Sequence, residues 1–137
     1  MSVTPEPETV FRSDLLRDKV VVVSGGGSGL GRAMALQMAK LGARLAICGR
    51  RLEPLEETAR LVAESGGHPV FVQSMSIRDP DAIAAFIAKV WEHFGALDLL
   101  VNNAGGQFPQ AAIDFSPKGW NAVIDTNLTG PFHMMQA

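Results

Sequence analysis

An α/β fold with a doubly wound parallel sheet is what this sequence predicts, and three observations carry the prediction. Strand-like and helix-like runs alternate strictly, four times over 137 residues. The strand-like runs are continuously apolar rather than alternating, as strands buried on both faces must be. Between the first such run and the first helix-like run lies VVVSGGGSGLGRA, Val21–Ala33, with glycine at 25, 26, 27, 29 and 31. Strict alternation calls for parallel strands with helices on both faces, a three-layer αβα arrangement.

Each element has its own local reason. Lys19–Ser24 (KVVVVS) is a β-branched run, the first strand. From Leu30 to Leu41, apolar residues at 30, 33, 34, 38 and 41 give helical spacing, and Gly42 ends the helix. Arg44–Cys48 (RLAIC) is the second strand. Leu52, Leu55, Ala59, Val62 and Ala63 mark the second helix, closed by Gly66 and Gly67. Val70–Gln73 is the third strand. Asp79 and Pro80 supply an N-cap and a first helical residue, with Ile83, Phe86, Ile87, Val90, Trp91 and Phe94 as the stripe behind them. Leu97–Val101 is the fourth strand. Ser116 and Pro117 open a last helix bearing Trp120, Val123, Ile124 and Leu128, which runs to Ala137 with neither cap nor breaker. That ending is expected of the N-terminal part of a longer single domain, spanning residues 15–137 here after a polar tail at 1–14.

Bulk properties narrow the class. Nearly half the chain is apolar and 19% is charged, which fits a packed globular domain. A net charge of −2 gives no global pull toward nucleic acid or anionic lipid. A single cysteine, Cys48, forbids an internal disulfide and fits a reducing, cytoplasmic setting. The apolar runs are too short to span a bilayer, and the first residues have no signal-peptide core. His68, His93 and His133 have no metal-ligand spacing, so no metal is expected. Asp98 and Asp114 are expected in structural or surface roles.

The glycine stretch sits where open α/β sheets bind phosphate, in the turn after the first strand. Three known motifs fail by spelling. A P-loop needs Lys and then Ser/Thr after its last glycine, and Gly31 is followed by Arg32 and Ala33. A nucleophile elbow needs glycine two residues after serine, and Leu30 stands there. G-x-G-x-x-G fails in every register. What fits is Gly25-x-x-x-Gly29-x-Gly31.

That spacing, with Ser24 before it and NNAG at Asn102–Gly105, resembles the short-chain dehydrogenase/reductase family from Leu15 to Ala137. The resemblance implies a Rossmann-type sheet. It gives Gly25 the turn, Gly29 the close approach to a pyrophosphate and Gly31 the tight packing of helix on strand. Ser28, Gly29 and Leu30 would offer amides to phosphate. Asn102 and Asn103 could be only a turn after a strand, but within NNAG their side-chain amides would brace the sheet and meet the adenosine ribose, and Asn103, Ala104 and Gly105 would border the cofactor.

Cofactor choice is read at the end of the second strand. An NAD enzyme places a carboxylate there for the ribose 2′-hydroxyl. Here the segment is Cys48-Gly49-Arg50-Arg51, with Gly49 where the family's acid would stand. Two guanidinium groups and no acid favour a 2′-phosphate, hence NADP(H). Cations at a helix start are mildly unfavourable, which argues for a use. Relatives carry an acid after the third strand, near the adenine. Ser76 and Ile77 occupy that place here.

In the family a Ser and a Tyr-x-x-x-Lys follow later, and an Asn on the helix after the fourth strand completes the catalytic set. This chain contains no tyrosine. Asn127, in TNLTG, is the one catalytic residue it matches, so these residues alone are expected to be inactive. Pro131 removes the N–H that would bond the Asn127 carbonyl. This leaves either a simple kink beside Gly130 or, by the resemblance, a carbonyl freed to hold a relay water. Gly106-Gln107-Phe108 and SPKGWNAVIDTNLTGPFHM are similar to the peroxisomal-type trans-2-enoyl-CoA and 2,4-dienoyl-CoA reductase branch. That likeness implies hydride transfer from NADPH to an enoyl thioester, an acyl pocket bordered by Gly106–Phe115, and a homo-oligomer, a tetramer by family likeness. The alternatives are a 3-oxoacyl or other carbonyl reductase of the same fold, and a non-catalytic NADP-binding module.

Overall fold

The computed structural model describes residues 10–137. Its four strands are β1 (Val20–Ser24), β2 (Arg44–Gly49), β3 (Phe71–Ser74) and β4 (Leu99–Val101). All pair in parallel, in the order β3-β2-β1-β4. The sheet therefore winds outward from β1 in both directions, and its switch point lies between β1 and β4. The helices are α1 (Gly29–Lys40), α2 (Leu52–Glu64), α3 (Pro80–Phe94), α4 (Pro117–Ile124) and α5 (Gly130–Gln136). The alternation read from the sequence is present, with strand ends shifted by one or two residues.

β1 shows why its run is all valine. Val20 and Val22 face a cluster with Ile83, Phe86, Ile87, Val90 and Met134, from α3 and α5. Val21 and Val23 face Ala35, Ala39, Leu55 and Val62, from α1 and α2. All four valines are fully buried, so the period-2 alternation feeds two cores rather than a core and solvent. Cys48 belongs to the first cluster, and burial pushes its thiol up to about 12. It is core, not a nucleophile.

Caps behave as the sequence predicts. Asp79 Oδ1 accepts from the Asp81 and Ala82 N–H groups, both at 3.1 Å, and Ser116 Oγ accepts from Gly119 N–H at 3.0 Å. Asp98 is structural: its carboxylate accepts from Val20 N–H at 2.9 Å and Lys19 Nζ at 3.0 Å. These bonds, the backbone one foremost, hold its carboxyl below the usual range.

One expectation is corrected. The last helix is not a single α-helix from Pro117 to Ala137. Between α4 and α5, Asp125–Thr129 forms a π-helical segment, where Gly130 N–H bonds to Asp125 O, five residues back. Backbone dihedrals stay helical across both junctions. Pro131 supplies one physical reason, and the close packing of Gly130 on Ile77 O another. In an α-helical register the proline ring would press on the Asn127 carbonyl, and a wider turn just upstream relieves that contact.

Candidate nucleotide-binding site

The carboxyl ends of the strands surround a cleft of about 470 Å³. Of the residues predicted to bind cofactor, Gly25, Ser28, Leu30, Gly31, Arg50, Arg51, Ser76, Ile77, Asn103, Ala104 and Gly105 line it. Gly29 does not line it; it opens α1 with a left-handed φ of 53° and open space around it. Asn127 stands beside the cleft rather than in its wall, next to the lining residue Thr126.

The floor is built by two short segments locked together. Ser24 Oγ accepts from Asn103 N–H at 3.1 Å and Ala104 N–H at 3.0 Å, and donates to Val101 O at 3.3 Å. Asn103 Nδ2 donates to Ser24 O at 2.9 Å and Gly25 O at 3.3 Å. One hydroxyl and one amide thus tie the end of β1 to the end of β4 across the switch point. The bracing half of the expectation for Asn103 is met by these bonds. The turn itself needs glycine at 25, where φ is 70°. Gly31 is needed for a different reason. A Cβ there would overlap Gly25 O and come within 2.5 Å of Asn103 Nδ2, so α1 sits on the turn itself more than on the strand.

The start of α1 is left open on its cleft side. Ser28 has extended backbone, makes no side-chain cap, and no acid stands in the first turn. First-turn amides with no side-chain acceptor thus stand at the positive end of a twelve-residue helix, an arrangement whose charge favours an anion. α2 likewise begins uncapped, with Arg51 at its N-cap position. Arg50 and Arg51 are exposed on the cleft wall, and the Arg50 carbonyl is fixed by Ser74 Oγ at 2.9 Å.

Several participants were not read from the sequence. Arg32 props the glycine loop from behind. Its Nη2 donates to Gly27 O at 2.6 Å and Pro54 O at 3.1 Å, while Nε donates to Thr58 Oγ1 at 3.0 Å. Thr58 Oγ1 in turn donates to Gly26 O at 2.9 Å. Arg78 lines the cleft as a third guanidinium, and its Nη2 meets Asp125 Oδ2 at 3.5 Å. Among the described residues no carboxylate lines the cleft. Toward β4 the wall becomes apolar, with Phe108, Ala122 and Val123. Phe108 stands edge-on to Phe115, and Phe115 edge-on to Trp120.

Asn127 uses its side chain as a clamp. Nδ2 donates to Gly106 O at 2.6 Å and Val123 O at 2.8 Å, and Oδ1 accepts from Gly106 N–H at 3.2 Å. The π-helical segment is thereby fastened to the loop after β4. The histidines fall on separate features: His93 packs between Phe71 and Phe94, His133 lies beside Phe132 on α5, and His68 is in the loop before β3.

A parallel sheet with a glycine-built, uncapped helix start at its switch point defines a dinucleotide-binding class of protein. Residues 19–137 match the short chain dehydrogenase family, and the chain belongs to it. It is 35% identical over 130 residues to a peroxisomal 2,4-dienoyl-CoA reductase of Arabidopsis thaliana, covering 95% of this chain and 43% of that protein. Among solved structures, it matches the citronellol catabolism dehydrogenase of Pseudomonas aeruginosa PAO1 with a TM-score of 0.89 at 37% identity, over 95% of this chain and 53% of that one. A metagenomic short-chain oxidoreductase in complex with NADP gives a TM-score of 0.83 at 36% identity, over 89% of this chain and 55% of that one. The chain thus spans about half the length of these relatives. Among the described residues, no helix is long and apolar enough to cross a membrane.

Proposed function

We propose that the protein carrying this chain is an NADP(H)-dependent reductase of enoyl-CoA thioesters, and that this chain contributes its cofactor half. The observation that carries the cofactor reading is the cleft wall at the end of β2, where Gly49, Arg50 and Arg51 stand together with no carboxylate. An acid in place of Gly49 would repel a 2′-phosphate, whereas guanidinium groups attract one. The uncapped start of α1 suits the pyrophosphate, and with Ser76 and Ile77 in place of the family's acid the adenine contact is weaker or made through backbone. When bound, NADP(H) supplies the hydride. This chain's residues hold and orient it: Ser24 and Asn103 keep β1 and β4 in register beneath it, and Arg32 fixes the loop above α1.

A charge-assisted hydrogen bond is worth about 1.5–3 kcal/mol, so Arg50→Ala is expected to weaken NADPH about ten-fold or more. NADH binding should change little. Fluorescence titration with both cofactors measures this, and equal losses would show that Arg50 does not read the 2′-phosphate.

The substrate reading rests on the named relative and on the apolar wall at Phe108, Ala122 and Val123, which suits an acyl chain. NADPH oxidation by the full-length protein should be faster with a trans-2-enoyl-CoA than with the 3-oxoacyl-CoA of equal length. The reverse preference assigns the protein to carbonyl reduction, the reading that the similarity to a citronellol catabolism dehydrogenase favours. An oligomeric assembly belongs to the same proposal.

A further inference from the structure

We propose that Arg78 is a third phosphate-binding cation of the cleft, held on Asp125 until a dinucleotide with a phosphate on its adenosine ribose displaces it. This rests on the NADP(H) reading above and extends it to a residue outside the end of β2. Arg78 follows Ser76 and Ile77 directly and lines the same cleft as Arg50 and Arg51. The two arginine-bearing loops are fastened to each other. Met75 N–H bonds to Gly49 O at 2.8 Å, and Ser74 Oγ bonds to Arg50 O at 2.9 Å.

The backbone at Arg78 is fixed while its head group is weakly held. Arg78 N–H donates to Ser76 Oγ at 3.2 Å, and Ile77 O lies so close to Gly130 that a Cβ there would meet it at 2.6 Å. The guanidinium meets Asp125 at 3.5 Å, at the limit of a bond, and the two side chains are 50% and 47% exposed. An exposed ion pair of that length contributes little to stability. A phosphate offers the same guanidinium shorter, bidentate bonds. An exchange from Asp125 to phosphate would therefore replace one long contact by stronger ones, and Asp125 is a weak competitor for the guanidinium. Among the described lining residues there is no carboxylate, and Asp125, just outside the lining, is the acid that Arg78 meets.

The test is a titration of the full-length protein and its Arg78→Gln, Asp125→Asn and double variants with 2′,5′-ADP and 5′-AMP, each variant's fold being checked by its thermal midpoint. Arg78→Gln is expected to weaken 2′,5′-ADP about ten-fold and to leave 5′-AMP within about two-fold. Asp125→Asn should bind 2′,5′-ADP as tightly as the parent or more tightly. The double variant should be as weak as Arg78→Gln. Recovery in the double variant would mean that Arg78 merely neutralises Asp125, and overturns the proposal. So does an equal loss for 5′-AMP. A parent protein that prefers 2′,5′-ADP, with the preference intact in Arg78→Gln, overturns the Arg78 assignment alone. A parent with no preference overturns the NADP(H) reading as well.

Discussion

Gly31→Ala is expected to destabilise the protein by about 3 kcal/mol, lower its thermal midpoint by about 10 °C, and abolish nucleotide binding. Inserting one methyl group into a packed site costs typically about 1–3 kcal/mol, depending on what can move aside. Here little can. The added carbon would overlap the Gly25 carbonyl and come within 2.5 Å of Asn103 Nδ2. Gly25 O belongs to a turn whose own N–H is bonded to Cys48 O at 2.8 Å, and Asn103 is held by its bonds to β1. Any shift of α1 that accommodates the methyl breaks the tie between β1 and β4 and moves the amides that face the cleft. Thermal denaturation and an NADPH titration check both effects. A variant within about 1 kcal/mol of the parent that still binds NADPH would show that the turn yields more easily than these contacts imply.

How much of this was legible in the sequence depends on how local each cause is. β1 was legible because four valines in a row have one sensible place, between two helical layers. The caps at Asp79 and Ser116 were legible because their partners lie two or three residues away. The glycine loop, Arg50 and Arg51 were legible because a strand end, a turn and a helix start are all written within a few positions. Arg32 was not. Its role depends on α2 lying against the loop, so that Pro54 O and Thr58 come within reach, and nothing near Arg32 in the chain encodes that. Arg78 was missed for a similar reason: its partner Asp125 is 47 residues away. Pro131 is the intermediate case. The missing N–H was visible, but the chain's answer to it, a π-helical segment rather than a kink or a break, depends on packing of Gly130 against Ile77.

That answer leads to the second large effect: Pro131→Ala is expected to stabilise the protein while lowering its turnover about 100-fold. Pro131 stands in the first turn of α5, directly after the π-helical segment, where the pressure of its ring on the Asn127 carbonyl is relieved and the missing N–H is the fault that remains. Alanine restores that N–H and lets the segment return to a regular α-helical register, so the thermal midpoint should rise. In that α-helical register the new N–H reaches Asn127 O, the acceptor four residues back. In the family, the matching asparagine carbonyl holds a water in the proton relay to a catalytic lysine, and the expected loss of turnover rests on the reductase reading proposed above. General acid–base steps contribute about 10²–10⁴-fold, so occupying that oxygen should reduce kcat by about 10²-fold. The Asn127 side chain would stay engaged, because its bonds to Gly106 and Val123 do not involve residue 131. NADPH affinity should accordingly be unchanged, which separates a lost relay from a disturbed cleft. Steady-state kinetics and thermal denaturation of the full-length variant decide the matter. A more stable protein with unaltered kcat would reduce Pro131 to a device for bending the helix, and a less stable one would show that the π-helical segment is held by the contact between Gly130 and Ile77 rather than by the proline.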